Sequence, residues 1–127
     1  MIIRDVKDCA EITAGDGSAL RELFNPGSGA FPFGCSLAHA VVKRGGKTRP
    51  HRLKSSEVYY ILEGRGLMHL EMEMAEVKAG QAVYIPPCHT QFIENTGRSD
   101  RVFLCLVDPA WEPDDEEVLP EGRSRTR

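Results

Sequence analysis

Four polar side chains stand among apolar residues in the middle of the chain, where they could hold a metal ion or move a proton. They are His39, His51, Glu57 and Gln91. Because alternate residues of a β-strand point to the same side of a sheet, each of them is aligned with apolar residues two positions away. If those apolar residues form a core, the four polar groups are carried inward, where burial without partners is costly. We therefore expect them to be hydrogen-bonded, hydrated or coordinated to a metal ion.

The residue types leave two interpretations open. In the first, histidine, glutamate and glutamine form a hydrogen-bonded network inside a partly hydrated barrel. In the second, an imidazole nitrogen and a carboxylate oxygen hold a divalent metal ion, a mixture of ligands that suits Zn, Fe, Mn, Ni or Co. Histidines on apolar faces are more often structural than coordinating, so the spacing alone favours the network.

These side chains must be positioned by β-strands. From residue 35 to residue 108, short runs rich in β-forming residues alternate with glycine, proline or charged clusters, a pattern typical of an all-β sandwich or barrel. The seven runs are CSLAHAVV (35–42), EVYYILEG (57–64), GLMHLEM (66–72), AEVKAG (75–80), QAVYIPP (81–87), TQFIENTG (90–97) and RVFLCLVD (101–108). Each is close to the usual strand length of about 5 to 6 residues, so we predict a single all-β barrel over residues 35–108.

The two ends of the chain differ in character from the barrel. We assign residues 1–34 to an N-terminal strand and loop segment that packs on the barrel, in which SALRELF fits either a short helix or a strand and residues 25–34 form a loop. Residues 109–127 form an acidic tail with a basic tip. The tail either docks through Trp111 and Val118-Leu119 or stays mobile, because it has too few apolar groups to fold alone.

Composition restricts the class of protein. The chain has 127 residues, of which 41% are hydrophobic and 28% charged, as in a globular protein with one domain. The longest apolar runs fall well short of the roughly 20 residues that span a membrane. The N-terminal MIIRDVKDCAE contains acidic residues where a signal peptide needs a long apolar stretch. We therefore expect a cytoplasmic protein with reduced cysteines. A net charge of −3 argues against nucleic acid as a partner.

Two segments carry a family resemblance. The first cupin motif is a glycine, five residues, His-x-His, a short gap, Glu, six residues and a glycine, and residues 45–64 resemble it. The matching positions are Gly45, His51, Glu57 and Gly64, with Leu53 at the second histidine. Residues 80–95 resemble the second motif through Gly80, Pro86 and Asn95, with Cys88 at a glycine and Gln91 at a histidine. The resemblance implies a single-domain cupin, a double-stranded β-helix or jelly-roll barrel.

The resemblance also implies a site. Cupins usually hold their metal with three histidines and one glutamate, so the corresponding ligands here are His51, Glu57 and Gln91, the last through a weaker amide oxygen. A looser similarity to the ectoine synthase family maps the metal positions onto Glu57, Tyr84 and Gln91. We expect Glu57 and Tyr84 to transfer protons. The residues expected to bind substrate are His39, Arg49 and Tyr59, with Arg49 gripping an anion.

The function expected from these features is a small cupin with a pocket for a divalent metal, a small anionic organic ligand, or both. Such a pocket serves an isomerase, lyase or oxygenase, but the fold does not name the substrate, and whether the chain is an enzyme stays open. The alternatives are a metal-free module that binds a sugar or organic acid, a cyclising lyase of the ectoine synthase type, and a partner-binding role for the acidic tail. The family resemblance also implies a homodimer.

Overall fold

The chain folds into two antiparallel β-sheets that face each other. The computed structural model describes residues 1–28 and 32–120. The strands are β1 (Glu11–Thr13), β2 (Ala19–Phe24), β3 (Ser36–Val42), β4 (His51–Leu53), β5 (Ser56–Glu63), β6 (Arg65–Leu70), β7 (Glu73–Lys78), β8 (Ala82–Ile85), β9 (Gln91–Asn95), β10 (Arg101–Asp108) and β11 (Glu116–Val118). One sheet has the order β1-β2-β3-β10-β5-β8 and the other β11-β4-β9-β6-β7.

The prediction of an all-β jelly-roll barrel is confirmed. The seven predicted runs correspond to β3 and to β5 through β10. The ambiguous run SALRELF forms strand β2, and within the described residues the helical turns are short 3-10 segments such as Pro26–Ser28. Residues 29–31 of the predicted loop lie outside the described residues. No helix in the described part of the chain is long and apolar enough to cross a membrane.

The core lies between the two sheets, at the centre of the barrel. The buried cluster consists of Ala40, Val42, Tyr59, Ile61, Met68, Val77, Ile85, Ile93 and Phe103. Strand β10 runs between β3 and β5, so Phe103 meets Tyr59 across the strand pair with ring centroids 4.7 Å apart. The inward alternation predicted for β4, β5 and β9 is confirmed, since His51, Glu57 and Gln91 are all buried.

The inward face predicted for β3 is wrong. The buried residues of this strand are Ser36, Ala38, Ala40 and Val42, so His39 points to the other side with the larger Leu37 and Val41. Both faces of β3 carry apolar residues, so hydrophobic alternation does not show which face is inside, and Ser36, Ala38 and Ala40 line the cavity together with the rings of Tyr59 and Phe103.

Both ends of the chain pack on the barrel around one of its openings. Strand β1 turns into β2 at Asp16 and Gly17, where Gly17 has a positive φ of 95°. At the other end, β11 pairs with β4, and Leu119 N–H donates to the carbonyl of Pro50 over 2.8 Å. Residues 109–120 of the tail are therefore docked, and the basic tip lies outside the described residues.

Candidate functional site

A cavity opens between the sheets beside β4 and β11. Its volume is about 40 Å³. This is enough for about three ordered waters at roughly 10 to 15 Å³ each. Apolar side chains such as Leu20, Leu53, Phe103 and Trp111 form much of its wall. The titratable side chains of the wall include the imidazole of His51 and the carboxyl groups of Asp16, Glu22, Glu57 and Glu116, with no lysine or arginine among its described residues.

His51, Asp16 and Glu116 form the polar cluster of the cavity. Each offers one ligand atom, and the three atoms lie within 4.8 Å of one another. His51 is 3% exposed, and its Nδ1 lies 2.8 Å from the carbonyl oxygen of Arg49. Because a carbonyl only accepts hydrogen bonds, a neutral His51 carries its proton on Nδ1 and directs the lone pair of Nε2 into the cavity.

Asp16 is held in position by its own turn. Its Oδ1 accepts hydrogen bonds from the backbone N–H and the hydroxyl of Ser18, at 2.9 and 2.7 Å. This leaves Oδ2 facing His51, with 3.5 Å between Oδ2 and Nε2. That distance is longer than an ordinary N–H···O hydrogen bond of about 2.7 to 3.2 Å.

Glu116 reaches the cluster from strand β11. Burial raises the pKa of its carboxyl, the charge of His51 lowers it, and the neighbouring Asp16 carboxylate raises it again. The two carboxyl groups therefore repel each other when both are ionised, and a shared cation would relieve the repulsion.

Glu57 belongs to a separate hydrogen-bonded network. Gln91 Nε2 donates to Glu57 Oε1 in a short hydrogen bond, and Cys105 Sγ donates to Glu57 Oε2 over 3.2 Å. The hydroxyl of Tyr59 donates to Gln91 Oε1 over 2.9 Å. Burial raises the pKa of Glu57, although the hydrogen bonds from Cys105 and Gln91 and the charge of His51 oppose the shift. The network thus engages both ends of the Gln91 amide and both oxygens of Glu57.

Three residues predicted for the site lie elsewhere. His39 is on the outer side of β3, so the expectation that it faces the pocket is wrong. Tyr84 is 59% exposed, and its hydroxyl lies 3.3 Å from Ser56 Oγ, so the ectoine synthase set of Glu57, Tyr84 and Gln91 is not assembled. The Arg49 side chain is exposed, and its contact with the site is made by its carbonyl.

Two residues of the cluster were missed from the sequence. Asp16 precedes a glycine, a pair typical of a turn between strands, but the turn does not reveal that the carboxylate points inward. Glu116 stands among five acidic residues, Glu112 and Asp114–Glu117, that are alike in sequence. Its position depends on the pairing of β11 with β4, which no local signal predicts.

Comparison with known proteins identifies the family. The family model described as Cupin domain matches residues 38–107, more than half of the chain. The chain belongs to the cupin family. The uncharacterized protein MJ1618 of Methanocaldococcus jannaschii is 46% identical to this cupin over 107 residues, 82% of this chain and 83% of that protein.

Two further proteins resemble this cupin. The Oxalate-binding protein of Thermotoga maritima is 37% identical over 51 residues, which are 40% of this chain and 42% of that protein. The structure of the polyketide cyclase RemF from Streptomyces resistomycificus superposes with a TM-score of 0.75 at 20% identity, covering 98% of this cupin and 89% of RemF. The second likeness supports the fold alone.

Proposed function

We propose that this cupin binds a small organic molecule in the barrel cavity together with a divalent transition metal ion such as Zn, Fe, Mn, Ni or Co. The observation that carries the proposal is the presentation of His51 Nε2 to two carboxylates within the barrel cavity. One imidazole nitrogen with carboxylate oxygens is a donor set that these metals accept.

The bound metal would act as a Lewis acid that polarises an oxygen atom of the organic ligand. Glu57 lines the same cavity, and its raised pKa suits a group that exchanges a proton with the ligand. These two elements support a reaction of the isomerase, lyase or oxygenase type. Tyr84 has no part in this proposal, because it lies outside the cavity.

The charge of the cavity restricts how an anion could bind. With four carboxylates and no described lysine or arginine in the wall, a free anion would meet net negative charge. An anionic ligand therefore needs the metal as its positive partner, and a neutral ligand could instead donate hydrogen bonds to the carboxylates.

Metal content tests the proposal directly. The untagged protein, purified without chelator, should contain close to one transition metal ion per chain by inductively coupled plasma mass spectrometry. Protein stripped with chelator and then offered Zn²⁺, Co²⁺, Ni²⁺, Mn²⁺ or Fe²⁺ should regain it. Protein that stays empty under both conditions would contradict the proposal.

A metal-free binding module is the second candidate. The closed network of Glu57, Gln91, Tyr59 and Cys105 favours it, because Glu57 has its partners without any metal. In that case sugars or organic acids should raise the thermal midpoint equally before and after chelation. Loss of the stabilisation on chelation would exclude this candidate.

We also propose a homodimer. Between the charged strand ends at Glu63 and Asp108, the outer faces of β3, β10 and β5 are mainly apolar and carry Leu37, His39, Val41, Val102, Leu104, Leu106, Val58, Tyr60 and Leu62. Tyr60, Leu62 and Leu106 remain 44%, 40% and 38% exposed, so a second copy could bury them. Sedimentation should give twice the chain mass, and Tyr60→Lys with Leu106→Lys should give a monomer, whereas Met74→Lys on the other sheet should not.

A further inference from the structure

We infer that the metal ion of this cupin is held by Asp16, His51 and Glu116, and that Glu57 and Gln91 at the motif positions are not its ligands. The inference rests on the proposed function, because it names the ligands of the metal proposed there. Of the three residues, only His51 belongs to a cupin motif. The other two come from the turn between β1 and β2 and from the C-terminal strand.

The spacing of the ligand atoms fits a single ion. Metal bonds of about 2.0 to 2.2 Å to nitrogen and oxygen place neighbouring ligand atoms of a tetrahedral site about 3.4 Å apart. His51 Nε2 and Asp16 Oδ2 are separated by 3.5 Å. The Glu116 carboxylate offers an oxygen within 4.8 Å of both atoms, so it lies close enough to serve as the third ligand of an ion bound between them.

Hydrogen bonds with neighbouring groups orient two of the three ligands. The Arg49 carbonyl fixes the proton of His51 on Nδ1, as expected for an imidazole that coordinates through Nε2. Ser18 occupies Oδ1 of Asp16 with two hydrogen bonds and leaves Oδ2 for the ion. These contacts would hold the ligands in place before the metal arrives.

The charges also balance. A divalent ion with two ionised carboxylates and a neutral imidazole forms a site of zero net charge, which is the form that costs least in a buried position. The cavity has room beside the ion for about two waters, so a coordination position stays open for an organic ligand.

Glu57 and Gln91 are less suited to the ion. Both Glu57 oxygens accept hydrogen bonds from Gln91 and Cys105, and the Gln91 amide oxygen accepts one from Tyr59. Coordination through either residue would use an oxygen that already accepts a buried hydrogen bond, and the ion would compete with that bond for the oxygen's lone pairs.

Metal affinity of matched variants tests the inference. We would titrate Co²⁺ and Zn²⁺ into chelator-treated protein, with a competing chelator to measure Kd and the visible Co²⁺ spectrum to report the number of ligands. Asp16→Asn and Glu116→Gln should each weaken binding by more than about 100-fold, beyond the roughly 10- to 100-fold loss typical of outer-shell partners. Glu57→Gln should weaken binding by less than about 10-fold, which is below the loss expected even for a residue that only hydrogen-bonds a metal ligand.

Glu22→Gln is the matched control, because it also removes a cavity carboxylate while leaving the cluster intact. Its Kd should stay within about threefold of the unmodified protein, since Glu22 is not one of the three clustered residues and only a screened charge is lost. The thermal midpoint of each metal-free variant checks folding, and Glu116→Gln keeps the test valid if Asp16→Asn does not fold.

The outcomes separate the two proposals. Strong loss in Glu57→Gln with normal binding in Asp16→Asn and Glu116→Gln would overturn the ligand set but leave the metal-binding proposal standing. Failure of the unmodified protein to take up Co²⁺ or Zn²⁺ would overturn both.

Discussion

The two ends of the barrel interior bury charge in opposite ways. Around the cavity, the Glu57 carboxylate has hydrogen-bond partners on both oxygens, and Asp16 and His51 are each held by a neighbour. At the other end, Arg101 is fully buried, and its three guanidinium nitrogens have no hydrogen-bond partner among residues 1–28 and 32–120. Burial lowers the pKa of Arg101 to about 10.

The difference shows that a buried charge does not by itself mark a functional site. The guanidinium lies against Gly66, where a side chain would collide with Nη1 of Arg101, so the space between this glycine and the guanidinium is filled. The cavity end has both open space and ligand atoms directed into it. A site therefore requires space, orientation and charge together.

The largest effect on stability should come from breaking the partnered network. Gln91→Leu removes the acceptor of the Tyr59 hydroxyl and the amide donor to Glu57, both buried. We expect the free energy of unfolding to fall by about 2 to 4 kcal/mol, since each buried polar group left without a partner costs about 1 to 3 kcal/mol. Urea unfolding measures this, and Tyr59→Phe, which removes one hydroxyl, should cost less. An unchanged midpoint for Gln91→Leu would mean that the network is not formed.

At the end that holds Arg101, a substitution is expected to raise the free energy of unfolding rather than lower it. Arg101→Met removes a buried cation that has no described partner and keeps most of the volume of the side chain. The free energy of unfolding should rise by about 1 to 2 kcal/mol, as when buried ionic groups are replaced by apolar ones. If the free energy of unfolding of Arg101→Met instead fell by more than about 1 kcal/mol in the same urea experiment, the guanidinium of Arg101 would have a hydrogen-bond or ion-pair partner, and the contrast between the two ends would fail.

The smallest effect is the pH dependence that Glu57 contributes. The pKa of Glu57 in the folded state is raised above the ordinary value of 4.5, so the folded protein binds this proton more tightly than the unfolded chain does. This stabilisation is complete below the ordinary value and is lost as the pH rises through the folded-state pKa. For metal-free protein, stability relative to Glu57→Gln should fall with rising pH by at most about 1.4 kcal/mol per unit. Parallel curves would place the Glu57 pKa at its ordinary value.

The sequence was sufficient for the fold because the strands are short, regular and bounded by turn residues. It also oriented β5 correctly, since Glu57, Tyr59 and Ile61 alternate with less buried neighbours. It failed at β3 and at Tyr84 because both faces of the six-stranded sheet carry apolar residues. Hydrophobic alternation then cannot decide which face of a strand is inside.

The site was predicted only in part for a different reason. His51 and Glu57 lie in a motif with fixed spacing, whereas Asp16 and Glu116 are 100 positions apart in the chain and meet only through the tertiary fold. The sequence shows Gln91 as a substituted ligand but cannot show that its amide is occupied by Tyr59 and Glu57.

The docking of β11 on β4 has a consequence for proteolysis of this protein. Strands β1 to β10 end at residue 108, but Glu116 lies eight residues further along the chain. A cut after Asp108 would therefore keep strands β1 to β10 and remove one member of the cluster with Asp16 and His51. The barrel and the complete cluster could in this way be separated by a single peptide bond.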